Sequence, residues 1–352
     1  MSTTMHDVAR LAGVSIKTVS NVLNGYPYVR ESTRAKVMTA IDELGYKVNV
    51  SARNLRSGRT GIIALAVPEL SLPYFAQLAD AVIRAAEKHS LTVLVEQTGA
   101  VRNREIAALS GTRRHLVDGM ICSPLALGPK DVELPEVGFP IVILGERIFQ
   151  GPFDQVTISN VEAARAATEH LISLGRRRIA ALGAHSAEEG GTPALRVEGY
   201  LAALRDAGIA VADELIVEAG LWHRATGAEA MNELLESGVE VDGVFCFNDT
   251  LALGAMHALL RRGIRIPDDI AIIGFDNIED AAYSMPPLTS VEPGRDQIAE
   301  TAVELLAGQI MAKGGRQEHR QVVADFEIVV RESTVGAAAM TVAPADVSVI
   351  KM

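Results

Sequence analysis

Between residues 61 and 276, short apolar runs alternate with longer stretches of helical periodicity: GIIALAVP, LTVLVEQT, DGMICSP, FPIVILGE, RRIAALGA, DGVFCFND and DIAIIGFD. Strands that alternate with helices in this way need crossover connections, so they build a parallel sheet covered by helices on its faces. The runs also repeat. Leu116 to Pro124 (LVDGMICSP) echoes Glu240 to Asn248 (EVDGVFCFN), IVILGE at 141–146 echoes AIIGFD at 271–276, and GIIALAV at 61–67 echoes RRIAALG at 177–183, at offsets of about 124, 130 and 117 residues. Any one pair is explained by convergence between strand-like runs. Three pairs in the same order point to two similar α/β lobes in tandem.

Open α/β lobes bind small ligands outside the carboxyl ends of their strands. Those ends carry Pro73-Tyr74-Phe75, Glu146-Arg147, Trp222-His223-Arg224, Asn248-Asp249 and Asp276-Asn277. Trp222 is the only Trp in a chain with 4% aromatic residues. It follows the short run LIVEAGL, and is expected to stack on a sugar or base rather than fill the core.

The first sixty residues differ in kind. They hold nine Lys/Arg against four Asp/Glu, a net of +5, whereas the rest of the chain carries −16 and the whole −11. A basic head on an acidic body fits a nucleic-acid-binding module joined to something that is not one. Within the head, ARLAGVSIKTVSNVLN puts Val8, Leu11 and Ala12 on one helical face, and Val19, Val22 and Leu23 on a second. Gly13 provides the turn, Ser15 the N-cap of the second helix, and small Ala9 the close approach. This is the pattern of a helix-turn-helix. Ile16, Lys17, Thr18, Ser20 and Asn21 are left pointing outward. A third helix is predicted near 31–44, with Val37, Ile41 and Leu44 inward and Gly45 as its stop.

HDVARLAGVSIKTVSNVLNG, then TRAKVMTAIDELGY, then SARNLRSGRTGIIALAVP resemble the N-terminal region of the lactose-repressor/galactose-repressor family of bacterial transcription regulators. NDTLALGAMHAL, GIRIPDDIAIIGFDN and PPLTSV are similar to signature stretches of that family's body, itself like a periplasmic sugar-binding protein, and the likeness runs to about residue 334. Val48 stands where the family usually has Pro, and Arg30 where a capping Ser is common. Ser159-Asn160 and Pro293-Gly294-Arg295 replace the usual Asp-Asn and Gln-Pro near the cleft.

The resemblance implies an all-α helix-turn-helix head (1–47), a hinge helix or linker (48–59), and a two-lobed α/β body of two parallel-sheet subdomains (60–334). Lobe 1 would span about 60–158 and 290–320, and lobe 2 about 159–289 and 321–334, with 335–352 a flexible tail lacking a heptad pattern. It further implies that Ile16, Lys17 and Asn21 read bases, since Asn pairs with adenine and Lys with guanine. Ser15, Thr18 and Ser20 suit phosphates. In NVSARNLRS, Leu55 is the implied minor-groove wedge, supported by Ala52 and Arg53. The implied effector contacts are Tyr74, Phe75, Arg147, Arg196, Trp222, Asn248 and Asp276.

Other classes lose ground at this level. MSTTMHDVAR has no basic and apolar leader pattern, and no apolar run reaches the ~20 residues of a membrane span, so a cytoplasmic protein is expected. Cys122 and Cys246 lie in strand-like runs and read as buried thiols, without metal-ligand spacing. No G-x-S-x-G, Walker loop, H-E-x-x-H or Cys-x-x-Cys is present, so no enzyme, metal or cofactor is expected. A solute-binding protein would have no use for residues 6–57. The expectation is a repressor acting as a homodimer or tetramer on double-stranded operator DNA, controlled by a sugar or sugar phosphate, with a nucleoside or purine as the alternative effector.

Overall fold

The chain divides into two units, Met1–Thr60 and Gly61–Met352. The computed structural model describes residues 3–23, 26–46, 59–110, 115–128, 139–146, 153–185, 191–312, 319–340 and 350–351. In the first unit, α1 (Met5–Ala12) begins with a capping box in which Thr4 and Asp7 exchange hydrogen bonds, and ends at Gly13 with φ 64°. The Ser15 hydroxyl accepts from the Thr18 N–H at 3.1 Å, the expected cap of α2 (Ile16–Leu23). Helix α3 (Glu31–Leu44) starts at Arg30 with no side-chain cap and stops at Gly45, φ 57°. The cap that Ser would supply is therefore missing at this helix. Val8, Ala9, Val19, Val22, Val37, Ala40 and Tyr46 form the small core of the head. Leu11, expected inward, is 49% exposed; Val8 and Ala9 take the buried positions of α1.

The second unit contains two sheets. The first has the order β11-β5-β4-β3-β1-β2 and the second β13-β12-β10-β9-β8-β6-β7. Strands β1 (Ile62–Val67), β2 (Thr92–Gln97), β3 (Gly119–Cys122), β4 (Ile141–Leu144), β5 (Asp154–Ile158) and β11 (Gln321–Ala324) are all parallel in the first sheet. Strands β6 (Ile179–Ala184), β7 (Ile216–Glu218), β8 (Gly243–Cys246), β9 (Ala271–Phe275) and β10 (Thr289–Glu292) repeat the arrangement in the second. The tandem reading is therefore realised strand for strand: β1 matches β6, β3 matches β8, and β4 matches β9. Central strands β3, β4, β8 and β9 are buried along their whole length, as expected of a sheet covered on both faces.

The helices of the first lobe are α4 (Pro73–Lys88), α5 (Arg102–Leu109) and α11 (Arg295–Met311). Those of the second are α6 (Asn160–Ser173), α7 (Thr192–Asp206), α8 (Arg224–Glu236), α9 (Asp249–Arg261) and the short α10 (Glu279–Tyr283). The chain passes between lobes three times: after Ile158, after Glu292 and after Ala324. The expected boundaries need correction accordingly. β10, whose second residue is 290, belongs wholly to the second sheet, and 321–324 pairs with 155–158 of the first. Once α11 has returned the chain to the first lobe, the open edge of β5 is the nearest partner for the next strand. β12 (Glu327–Val329) then joins the second sheet, antiparallel to β10.

Short elements are described near the carboxyl terminus. Residues 332–335 and 337–340 are the helical turns α12 and α13, and β13 (Ile350–Lys351) pairs with β12. The open backbone groups of an edge strand give the tail a place to pair. Cys122 and Cys246 are buried free thiols, as expected, and no described helix is long and apolar enough to cross a membrane.

Candidate ligand cleft and nucleic-acid face

The carboxyl ends of both sheets open onto a cavity of about 440 Å³, within the ~300–1,000 Å³ common for small-molecule sites. Its apolar walls include Leu72, Tyr74, Phe75, Leu125, Trp222 and Ile278. Its chemistry comes from the two repeated strand ends. IVILGE and AIIGFD deliver Glu146 and Asp276 from opposite lobes, 8% and 7% exposed. Glu146 is not among the contacts that the family resemblance implies; the repeat itself, which pairs it with Asp276, is the signal that points to it. Glu146 accepts from the Ile158 N–H at 2.9 Å and from the Thr192 hydroxyl at 3.2 Å, the latter a bond between the lobes. Burial raises its affinity for a proton.

Asp276 sits at φ 106°, followed by Asn277 at φ 46°, so the turn after β9 holds two non-glycine residues in sparsely populated conformations. Four partners pin it. Arg295 Nη1 donates to the Asp276 carbonyl at 3.1 Å, Ser290 Oγ accepts from the Asn277 N–H at 3.0 Å, Asn277 Nδ2 donates to Glu292 at 3.2 Å, and Arg331 donates to Asn277 Oδ1 at 2.7 Å. Burial pushes the Asp276 carboxyl up to about 7, against the pull of Arg196 and Arg295. Behind it, Asp249 is fully buried, accepting from the Ile278 N–H at 2.9 Å and the Ser290 hydroxyl at 2.6 Å. Desolvation, and then the Asp276 charge, holds its carboxyl well above the usual range.

Arg196, 2% exposed, is the one arginine among the described residues that line the cleft. Its Nε donates to Asn160 Oδ1 at 2.8 Å, Nη1 donates to the Phe247 carbonyl, and the guanidinium lies 3.4 Å from the Phe275 ring centre and 5.5 Å from that of Trp222. Desolvation lowers it to about 10, opposed by Asp276 and Glu146. The Asn of the unusual Ser159-Asn160 pair thus orients Arg196. Trp222 is both a packing and a cleft residue. It packs partly on the core, donates Nε1–H to the Gly183 carbonyl at 3.1 Å, and still lines the cavity. Its carbonyl accepts from Asn248 Nδ2 at 3.3 Å and from the Thr250 hydroxyl at 2.6 Å. Asn248 Oδ1 in turn caps α9 through the Leu251 N–H at 2.8 Å.

Tyr74 and Phe75 stack edge-on with centres 5.2 Å apart on the first turn of α4. Burial, with the charges of Asp276 and Glu146, pushes the Tyr74 hydroxyl up, so it stays a donor. Tyr74, Phe75, Arg196, Trp222, Asn248 and Asp276 therefore converge on one cavity; Arg147 lies outside the described residues. A second interlobe pair joins His223 Nε2 to Glu69 at 3.3 Å. Glu105 carries no signal of its role in the sequence. It is fully buried on α5 and accepts from the backbone N–H groups of Leu125, Ala126 and Leu127 at 2.9–3.1 Å. It thereby shapes the wall 123–126, which faces the cavity.

In the head, Lys17 is exposed on the first turn of α2, and Thr18, Ser20 and Asn21 are half-exposed. The Ser15 and Thr18 hydroxyls lie 2.9 Å apart. Ile16 is different: it packs on the head core, so only part of it is open to a base. Tyr26 and Tyr28, which no motif singles out, are 50% and 84% exposed and stacked edge-on at 5.6 Å. Arg34 donates to the Tyr26 carbonyl at 3.1 Å. Ala52, Arg53 and Leu55 lie outside the described residues.

Comparison with known proteins agrees with both units. Residues 4–49 match the family model of bacterial regulatory proteins, lacI family, and residues 168–334 match the periplasmic binding protein-like domain. The HTH-type transcriptional repressor PurR of Vibrio atlanticus is 34% identical over 337 residues, 94% of this chain and 98% of the relative. Among solved structures, a LacI-family regulator from Sanguibacter keddieii is 50% identical, covering 79% of this chain and 100% of its own, with a TM-score of 0.74. The cellobiose complex of the transcriptional regulator CelR is 32% identical, covering 94% and 99%, with a TM-score of 0.68.

Proposed function

Because the chain belongs to the lacI family of bacterial regulatory proteins, and is a DNA-binding transcription regulator with an effector-binding body, we propose that its effector is a carbohydrate held between the two lobes. The observation that carries this reading is the pairing of Glu146 and Asp276 across a cavity that also holds Arg196 and Trp222. Two carboxylates and a guanidinium offer bidentate partners for vicinal hydroxyls. An indole face covers the apolar side of a pyranose or furanose ring. The cellobiose in CelR supports the reading by analogy. A nucleobase is the second reading, favoured by the flat Tyr74–Phe75 pair facing the same space.

The regulator acts in the cytoplasm as a homodimeric repressor. Lys17 and Asn21, with the open part of Ile16, read base edges; Ser15, Thr18 and Ser20 hold phosphates; Ala52, Arg53 and Leu55 enter the minor groove at the operator's centre. A ligand that binds the closed lobes better than the open ones shifts the population toward closure. Two-fold pairing requires a fixed spacing of half-sites, so closure alters operator affinity. Whether binding rises or falls depends on which state the heads prefer. A thermal-shift screen of sugars and nucleosides, with operator binding then measured with and without each hit, tests this. A hit stabilises the fold by mass action. A nucleoside hit with no sugar hit overturns the carbohydrate reading.

A further inference from the structure

Given a carbohydrate effector, on which this inference rests, the balance of charge around the cavity narrows the ligand further. Among the described lining residues, three carboxylates (Glu69, Glu146 and Asp276) face one arginine and two histidines, and no lysine. Glu146 and Asp276 are both more than nine-tenths buried, so water screens them little. Arg196 is the one arginine among the described lining residues, and part of it is already committed: Nε donates to Asn160, Nη1 donates to the Phe247 carbonyl, and one face lies on Phe275.

Part of the backbone donor capacity of the described helix starts is also lost. Phosphate sites commonly use the unpaired N–H groups of a helix's first turn. Of the helices that begin at this cleft, α4 starts with Pro73 and α7 with Thr192-Pro193, and each loses a donor to the proline. On α9, the Leu251 N–H is already taken by the Asn248 side chain. Among the described lining residues, a phosphoryl group would face two buried carboxylates with one partly committed arginine to offset them.

We propose that the cleft selects an uncharged polyhydroxylated ring and discriminates against its phosphate ester, with Glu146 and Asp276 as the two residues that set this charge preference. Hydroxyl groups donate to both carboxylates, whereas the anionic oxygens of a phosphate only accept and meet like charge. Like-charge juxtaposition across a binding surface costs enough that the ester should bind about a hundredfold or more weakly than its parent sugar.

Calorimetric titration of the full-length protein at about pH 8, where Asp276 is ionised, tests this in two ways. In the first, neutral mono- and disaccharides are compared with their own phosphate esters. A sugar binding while its ester does not supports the proposal; an ester binding as tightly as its sugar overturns it. Binding of nucleobases but of no sugar defeats the carbohydrate reading instead, so the two failures are distinguishable. In the second, inorganic phosphate is titrated at matched ionic strength into wild type and into the double variant Glu146→Gln, Asp276→Asn. The isosteric double variant should bind phosphate at least about tenfold more tightly than wild type, as relief of like-charge repulsion requires. Wild type that binds phosphate as tightly as a folded double variant refutes the charge preference.

Discussion

Asp276→Asn offers a sharp test of the cleft's electrostatics. The carboxyl moves from an ordinary value of 3.8 to about 7, because burial penalises its ionised form more than Arg196 and Arg295 favour it. With 7% of the residue exposed, screening by solvent discounts this little. Between pH 3.8 and 7 the folded protein holds a proton at this site that the unfolded chain has released, so stability falls as pH rises through the window. At about 1.36 kcal/mol per pH unit, the full interval amounts to about 4 kcal/mol. Asparagine keeps the shape and tolerates positive φ, but carries no proton to release. Removing the carboxylate also deprives Arg196 of a partner. That attraction exists only once Asp276 is ionised, and it is already contained in the carboxyl's value of about 7, so it is part of the slope rather than an addition to it. The offset between the two proteins is uninformative, whereas the slope is not. Thermal unfolding of effector-free wild type and Asp276→Asn from about pH 5 to 8 should show the wild type losing ~3 kcal/mol more across the range. For a body of this size that is roughly 6 °C. Glu146 and Asp249, both raised by burial, will leave the variant some slope of its own. Parallel profiles for the two proteins would show that Asp276 is not an unrelieved buried acid, and the argument would fail.

Other perturbations probe the same geometry. Arg295→Ala should leave effector affinity within a few-fold of wild type while blunting the change in operator affinity on effector binding, because Arg295 ties the Asp276 turn to the second interlobe connection; calorimetry and operator gel shifts measured on one preparation check this. Glu105→Ala orphans the N–H groups of Leu125, Ala126 and Leu127, and should destabilise the protein by ~2–4 kcal/mol and weaken effector binding, read by denaturant unfolding and titration. Lys17→Ala should change which operator bases are preferred more than overall affinity, measured by binding selection from a randomised half-site. A fragment beginning at Thr60 should bind effector but not operator, by calorimetry and gel shift.

How much of the fold and site is legible in the chain depends on the length scale of the signal. Strand-like runs and their repeat mark out the two sheets, because a strand buried on both faces leaves a contiguous apolar trace such as IVIL or AIIGF. Gly13, Ser15 and Gly45 announce their turns and cap through local chemistry, and the basic head stands out as a compositional shift. Of the converging residues, Tyr74, Phe75, Trp222, Asn248 and Asp276 are marked by their place at strand ends, and Arg196 comes through the family resemblance. What stays hidden acts at long range through single polar side chains. Glu105 looks like one more acid on a solvated helix until residues 125–127 fold over it. Asn160 acquires meaning only when Arg196, 36 positions later, reaches its amide. The lobe boundaries fail for a similar reason: whether 321–324 pairs with one sheet or the other depends on which edge is open, and QVVA reads the same in either.

The three passages between lobes, after Ile158, Glu292 and Ala324, bear on how such a protein can be recombined. Neither lobe is a continuous stretch of the gene. A hybrid that takes one lobe from a relative needs three joints, each set among contacts that hold the cleft: Ile158 on Glu146, Arg295 on Asp276, and Ser159 on the Ala324 carbonyl. Replacing the head needs one joint near Thr60. Exchange of operator preference between relatives is thus a single cut, whereas the ligand-binding body is inherited whole and must change its ligand residue by residue.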